Sequence, residues 1–458
     1  MNMKTDTHMT RRDFLRTAGA VTAAMALPIP GLFAAEGRKP NVIVILSDDH
    51  GYSQIGLQGC REVATPNLDS IGKNGVRFTN GYVSCPVCSP TRAGLMTGRY
   101  QQRFGHEDNP GPPAVCSPNF GLPLSEKTMA DYMKAKGYAT GMVGKWHLGH
   151  RPECHPQKRG FDEFFGFLTG AHSYTQAGVG TLEPILRGTK EVDEKEYLTD
   201  AFGREAVSFI DRHKSEPFFL YLAFNAVHAP LTSPARYQND FSQFKNPDRR
   251  KYAAMLKAMD EAVGKVLSKV RSAGLEDDTL IVFLGDNGGY RVAGMTPNTP
   301  LNGFKGDIYE GGVRVPFMMQ WKGNLQAGKV YEKPVISLDV LPTVVTAAGG
   351  KTAANVDGVD LLPCLTGKCS KSPHDKLFWR WIDKSGARVG DWKLVRNGDG
   401  AEKLFNLADD IGEKNDLAAA KPDKLKELQA AYKEWDAKNI PPKWQDGRRA
   451  KGGATKGE

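Results

Sequence analysis

Cysteine is scarce in this chain of 458 residues, with seven in all. The single C-x-x-C, Cys85-Pro86-Val87-Cys88, has no second pair at similar spacing, so a structural zinc site of that kind is excluded. Beyond residue 35 no stretch approaches 18 consecutive apolar residues, which leaves no membrane-spanning helix there. The 50 glycines and 28 prolines follow no G-X-Y period, and no internal repeat is visible. The formal charge of +9, from 61 Lys+Arg against 52 Asp+Glu, comes without any basic-aromatic nucleic-acid module. What remains is ordinary for a soluble globular protein: 40% hydrophobic and 25% charged residues, which excludes a wholly disordered chain. The length suits two or three domains, or one large α/β domain with an appendage.

The N-terminus stands apart. Arg11-Arg12-Asp13-Phe14-Leu15 opens an apolar run from Ala18 to Ala35, Ala-rich and interrupted by Pro28 and Pro30. Residues 1–35 read as a twin-arginine export signal cleaved near Ala34 or Ala35, with an uncleaved anchor as the alternative. The segment holds Lys4, Arg11, Arg12 and Arg16 against Asp6 and Asp13, so its loss leaves about +7. Export predicts a periplasmic or extracellular location and an oxidising surrounding. Cys364 and Cys369 are spaced to close a small loop there; Cys60, Cys85, Cys116 and Cys154 show no readable pairing, and the odd count leaves a thiol over.

Apolar runs then alternate with helical patterns, which predicts βαβ units and a large, mostly parallel central sheet flanked by helices. Asn41 to Leu46 is continuous and β-branched, as expected of a strand buried on both faces. Ala139–Val143, Phe218–Phe224, Leu280–Leu284 and Phe317–Gln320 are further strand candidates. A helix is expected from a Ser125 cap through Lys136 to Gly137. Another is expected from Tyr252, Met255, Leu256, Met259, Val263, Val266, Leu267 and Val270, recurring at three- and four-residue steps before Gly274. From about residue 370 come short aromatic strands, Leu377–Trp381 and Trp392–Val395, and a Lys-rich helix near Pro422–Lys438. The organisation expected is a signal over 1–35, a catalytic domain over 38–365, a smaller α+β C-terminal subdomain over 366–440 and a basic flexible tail over 441–458.

Chemistry collects at strand ends. The first strand runs into Ser47-Asp48-Asp49-His50, and Leu284 into Gly285-Asp286-Asn287-Gly288-Gly289. Open α/β sheets place ligands at the C-terminal ends of their strands. Three carboxylates and one amide oxygen at two such ends form a hard-oxygen set suited to Ca²⁺ or Mg²⁺.

Cys88-Ser89-Pro90-Thr91-Arg92 continues to Leu95-Met96-Thr97-Gly98-Arg99. In order there follow Gly144-Lys145-Trp146-His147-Leu148-Gly149, Val227-His228-Ala229-Pro230, the Gly285–Gly288 run, and Phe304-Lys305-Gly306 with Glu310-Gly311-Gly312. This set resembles the type I, formylglycine-dependent sulfatase family over roughly residues 38 to 440, and Gly144 to Gly166 especially resembles its arylsulfatase and N-acetylgalactosamine-6-sulfatase branch. The resemblance implies an alkaline-phosphatase-like α/β fold and hydrolysis of sulfate monoesters. It implies oxidation of Cys88 to formylglycine by a maturating enzyme, and one Ca²⁺ held by Asp48, Asp49, Asp286 and Asn287 with residue 88. Lys145, Lys305 and the metal would neutralise the sulfate, and Arg92 would hold residue 88. A formylglycine hydrate carries two hydroxyls on one carbon: one attacks sulfur, and deprotonation of the other expels sulfate and restores the aldehyde. The resemblance gives His147 that second proton, and His228 the leaving alcohol.

For the substrate, His106, His172, Tyr174 and Arg380 are the candidate contacts, with His150, Arg151 and Trp381 behind them; His172 is best placed by analogy with the resembling branch. A sulfated carbohydrate of galactose or N-acetylgalactosamine type is the substrate expected. The alternatives are a phosphate or phosphonate ester hydrolase of the same superfamily, and an inactive sulfated-glycan-binding protein if Cys88 stays unmodified.

Overall fold

In the computed structural model, which describes residues 39–111, 115–175, 183–292, 295 and 297–446, the first apolar run forms strand β1 (Asn41–Ser47). Its five central residues, Val42 to Leu46, are wholly buried. They alternate between two cores as a period of two requires. Val42, Val44 and Leu46 pack with Leu95, Met96 and Met142 on one face. Ile43 and Ile45 pack with Phe202, Met255 and Leu256 on the other.

Five further strands build the centre of a ten-stranded sheet: β2 (Ala139–Lys145), β3 (Glu163–Phe167), β4 (Phe218–Ala223), β5 (Thr279–Gly285) and β6 (Phe317–Gln320). β1 lies between β5 and β4, parallel to both, and β2 continues the sheet parallel to β4 and β3. The edges turn antiparallel, with β6 against β5 and Ile185–Arg187 against β3. The sheet is therefore mixed, with a parallel heart. Parallel neighbours need crossovers, and helices supply them. Those that bear on the site are α1 (Cys88–Thr97), α2 (Leu198–His213) and α3 (Pro247–Ser272). α3 carries the apolar periodicity read from the sequence. Its first turn is capped by the Asn246 side chain, which accepts from the amides of Asp248 and Arg249 at 2.8 and 3.1 Å.

The helix expected from Ser125 starts later, at Met129. Thr128 caps it, accepting from the Asp131 amide at 3.1 Å while the Asp131 carboxylate takes the Thr128 amide at 2.8 Å. A reciprocal box satisfies two end donors and outcompetes the lone Ser125.

At the C-terminus a separate antiparallel sheet comprises β7 (Lys376–Trp381), β8 (Lys384–Val389), β9 (Trp392–Arg396) and β10 (Lys403–Asn406), in that order, with helix α4 (Pro422–Asp436) against it. Residues 440–446 return along the loop after α1: the Ile440 amide donates to Gln102 at 3.1 Å, that of Lys443 to Gly105 at 2.9 Å, and the Trp444 indole to Asp108 at 3.2 Å. The stretch expected to be flexible from 441 is thus docked as far as Asp446, and the remainder of the tail, like the export signal, lies outside the described residues. All seven cysteines are thiols, with Cys364 and Cys369 both near the Lys371 carbonyl.

Candidate active site

Four neighbouring parallel strands end at one edge, and each end carries polar side chains: Asp48 and Asp49 after β1, Asp286 and Asn287 after β5, Lys145 and His147 at β2, and His228 beyond β4. Backbone pairing continues past the strands and fixes their mutual height. The Asp48 amide donates to Ala226 at 2.9 Å, that of Val227 to Asp48 at 2.8 Å, and that of Asp286 to Ser47 at 2.9 Å.

α1 arrives at this edge with its first residue, Cys88. All ten of its residues are buried, and it stops at Gly98, whose φ of +64° suits glycine. The Cys88 Sγ lies 3.3 Å from Asp48 Oδ1 and 3.9 Å from Asp49 Oδ1. One turn on, Arg92 is wholly buried. Its Nε and Nη2 donate to Asp286 Oδ2 at 3.1 and 2.8 Å and its Nη1 to the Lys145 carbonyl at 2.9 Å, joining α1 to two strand ends.

The two lysines stand on the two adjacent aspartates. Lys145 Nζ is 2.5 Å from Asp48 Oδ2, and Lys305 Nζ is 2.9 Å from Asp49 Oδ2. Burial opposes ionisation of both carboxylates. Lys145 at Asp48 and Lys305 at Asp49 outweigh it and hold each below the usual range. At Asp286 burial and the Asp48 charge prevail over Arg92, and its pKa is raised. Three carboxylates thus meet three cations. Asn287 donates to Asp49 Oδ1 at 2.7 Å, but its own Oδ1 is buried without a hydrogen-bond partner. Ligand atoms of Asp48, Asp49, Cys88 and His228 lie within 4.8 Å of one another. Burial, then Asp286 and Asp48, push the Cys88 thiol well above its usual range.

His147 is buried, in the left-handed region at φ +58°, with Nδ1 unpartnered. Burial, Lys145 and Arg92 lower its pKa well below the ordinary value, leaving a neutral imidazole able to accept a proton. Ser89 Oγ donates to the His147 carbonyl at 2.7 Å, and Gly170 leaves room for the ring, since a Cβ there would lie 2.6 Å from Nε2. Neither residue was singled out in the sequence, although Ser89 sits inside C-x-P-x-R. His228 stands at the opening, its side chain 20% exposed and its Nε2 3.7 Å from Asp49 Oδ2. Its Nδ1 faces the Ala229 carbonyl at 2.5 Å, and burial and Lys305 hold its pKa below the ordinary value.

The four candidate sugar contacts have prior commitments. Tyr174 is buried, its hydroxyl 2.6 and 2.9 Å from the carbonyls of Asn225 and His228, where it holds the loop after β4. His172 has a backbone carbonyl at each ring nitrogen, Ser173 at 2.6 Å and Glu183 at 2.7 Å. His106 is buried behind residue 88, 2.7 Å from Ser89 Oγ, and burial depresses its pKa to about 3. Arg380 is bound by Glu107 and Asp436, at 2.6 Å each. The structure therefore groups the carboxylates, lysines, Arg92, Cys88 and both histidines at one edge, and places these four around or beneath it.

The profile of the family described as Sulfatase matches residues 40–350; that of the N-sulphoglucosamine sulphohydrolase C-terminal region matches 304–440, and that of the twin-arginine translocation signal matches 8–28. Mouse N-acetylgalactosamine-6-sulfatase is 33% identical over 82% of this chain and 76% of its own length. The uncharacterized sulfatase YdeN of Escherichia coli (strain K12) is 30% identical over 90% of this chain and 88% of its own. The crystal structure of Ps i-CgsB, solved in complex with k-i-k-neocarrahexaose, superposes with a TM-score of 0.85 at 35% identity, covering 91% of this chain and 98% of that one.

Proposed function

Since the chain belongs to the sulfatase family and is a sulfuric ester hydrolase, we propose that it removes sulfate from a galactose- or N-acetylgalactosamine-type sugar of a sulfated glycan outside the cytoplasm, using a formylglycine made from Cys88. One observation carries the reading: residue 88 opens α1 against Asp48 and Asp49, with Lys145 and Lys305 on either side. The carbohydrate follows from relatives acting on or crystallised with sugars, and export from the twin-arginine match. No helix among the described residues is long and apolar enough to cross a membrane.

The chemistry of release favours the modification. A thiol that attacked sulfur would form a covalent product with no easy internal route to free sulfate, whereas a formylglycine hydrate supplies a hydroxyl nucleophile and a second hydroxyl whose deprotonation frees sulfate. Conversion requires a maturating enzyme as partner. The residues also fit a divalent cation. Asp48 and Asp49 lie in one group with Cys88 and His228, Asp286 Oδ1 accepts from the Asp49 amide at 3.1 Å beside them, and the orphaned Asn287 Oδ1 is a hard oxygen in need of a partner. We assign the three aspartates and Asn287, with residue 88, to calcium, which when bound would supply positive charge for the sulfate oxygens.

The chain's own groups then divide the work. Lys145 and Lys305 counter the negative charge of a sulfate monoester, and together with only one metal site they suit that monoanion better than the dianion of a phosphate monoester. Arg92 fixes α1, and with it residue 88, against the ends of β2 and β5. His147, neutral and with a free ring nitrogen, takes the proton whose loss releases sulfate. His228 faces the entering ester; the arriving anion favours its imidazolium, which donates to the departing alcohol.

A panel of defined sulfated oligosaccharides, assayed for released sulfate beside matched phosphate esters, tests the reading. Desulfation of a galactose- or N-acetylgalactosamine-containing member, with phosphate esters turned over far more slowly, is expected. Preference for the phosphate esters would overturn it.

A further inference from the structure

Of the three cations of the cluster, Lys145 stands on a strand and Arg92 on α1, whereas Lys305 belongs to neither a strand nor a helix. It sits on a loop, residues 302–309, between β5 and the short helix Glu310–Val313. A loop lysine has four rotatable side-chain bonds and a mobile backbone, so placing its ammonium requires the loop itself to be held. On the side of the main domain, two backbone hydrogen bonds serve: the Lys305 amide to Gly289 at 3.1 Å, and the Gly306 amide to Pro86, two residues before residue 88, at 2.9 Å.

On that side Asn298 also donates to the Gly303 carbonyl at 3.1 Å and Arg291 lies over the Phe304 ring; a further grip comes from the C-terminal sheet. Lys384, the first residue of β8, donates to the Gly306 carbonyl at 2.6 Å and lies 3.2 Å from Asp307 Oδ1, with its ammonium over the Trp381 ring. Asn397, just beyond β9, donates to the same Asp307 oxygen at 2.9 Å and accepts from the Ile308 amide at 3.3 Å. Asp307 turns back on the loop, its Oδ2 taking the Phe304 amide at 3.0 Å. The Trp381 ring closes over Gly306: a Cβ at that glycine, whose φ is +86°, would meet the ring at 3.3 Å. Phe304, Gly306, Asp307 and Ile308, the residues flanking Lys305 on both sides, are thereby fastened by a side chain of the C-terminal sheet or by a group that such a side chain holds.

We propose that Lys384 and Asn397 are positioning residues of the reaction, acting through Lys305: the C-terminal sheet sets where that ammonium stands. The inference rests on the reading of Lys305 as a group that counters the sulfate charge. A small displacement is sufficient to matter, because misplacing a catalytic group by about 1 Å can cost about 10²-fold in rate. Lys384 is 21% exposed at its side chain and lies outside the hydrophobic cores, so its loss leaves the fold standing.

The test is a double-mutant cycle on the full-length, matured enzyme with whichever sulfated sugar it turns over, run at enzyme excess so that slow variants are measured. Lys384→Met is expected to lower the single-turnover rate about 10- to 100-fold, with the melting temperature nearly unchanged and Lys384→Arg recovering most of the loss. In a Lys305→Ala background the same Lys384→Met change is expected to cost nothing further. Asn397→Ala, gripping the loop from its other side, is expected to show the same dependence and serves if Lys384→Met is poorly folded. Equal fold losses in both backgrounds, or a Lys384→Met enzyme as fast as the parent, would overturn the positioning role while leaving the proposed function intact. A Lys305→Ala enzyme with full activity would overturn the reading of Lys305 and this inference together.

Discussion

Two buried clusters of carboxylates and cations lie in this molecule, and only one has the makings of a reaction centre. Under the C-terminal sheet, Glu310 meets Lys393 at 2.7 Å, Arg314 at 3.1 Å and the Tyr82 hydroxyl at 2.7 Å. Glu413 there meets Lys393 at 3.1 Å and the Glu310 amide at 2.7 Å. Three of the four carboxylate oxygens of that cluster accept a hydrogen bond, the fourth, Glu413 Oε1, facing the Lys393 ammonium at 3.1 Å as an ion pair only, and all four charged residues are buried. At the edge of the main sheet, the Asp48, Asp49 and Asp286 cluster is equally rich in ion pairs but incompletely satisfied. It keeps an orphaned amide oxygen, an unpartnered imidazole nitrogen and a thiol that burial pushes well above its usual range, and it opens to solvent past Lys305 and His228. Burial and pairing thus belong to both regions. Incomplete pairing at the ends of parallel strands separates chemistry from scaffolding.

Substitutions should split the two regions cleanly. Cys88→Ala is expected to reduce turnover by about 10⁴-fold or more while leaving the melting temperature close to the parent's, as read by steady-state assay and thermal unfolding. Lys393→Met should do its damage to stability, at about 3–5 kcal/mol by denaturant titration, because Glu413 loses its cation and faces Glu310, which keeps only Arg314. If Cys88→Ala unfolded the protein, or Lys393→Met left its stability intact, the distinction between the two clusters would fail.

A smaller effect sharpens the roles within the reactive cluster. His228→Ala should slow a sulfated sugar by about 10²–10⁴-fold and a nitrophenyl sulfate much less, since a sugar alkoxide depends more on a proton donor as it leaves. Equal losses on both substrates, with the chemical step rate-limiting, would remove His228 from the leaving-group side. The smallest effect probes the scaffolding cluster through pH. Burial raises the Glu413 pKa to about 7, above the ordinary carboxylate value, so the folded state holds this proton more tightly than the unfolded chain. That contribution to stability is complete below the unfolded pKa and is lost as pH rises through about 7, amounting to about 1–3 kcal/mol. Glu413→Gln should flatten this part of the stability–pH curve; an unchanged slope would contradict the assignment.

The parts of the fold that were legible in the sequence share a physical cause. β1, β4 and β5 are continuous apolar runs because both faces of a parallel sheet are buried, and their ends were readable to within a residue or two. β8 and β10, by contrast, escaped notice: Lys-Ser-Gly-Ala-Arg-Val and Lys-Leu-Phe-Asn are short and polar, and they gain their burial from β9 and α4 rather than from their own pattern. The site shows the same division. Residues inside local motifs, such as Asp48, Cys88 and Asp286, could be named in advance. Lys145 and Lys305 could be named too, but not which carboxylate each would pair with, because they reach Asp48 and Asp49 across 97 and 256 positions of sequence. The commitments of His106 to Ser89 and of Arg380 to Glu107 are likewise properties of the folded chain alone.

The central claim is that residue 88 acts as formylglycine and not as the thiol its codon specifies. Mass spectrometry of the proteolytic peptide containing residue 88, from a preparation of measured sulfatase activity, tests it most directly. Replacing –CH₂SH by –CHO lowers the peptide mass by about 18 Da, and the account predicts that this form is present in proportion to activity across preparations. A fully active preparation in which residue 88 is unmodified cysteine throughout would contradict it.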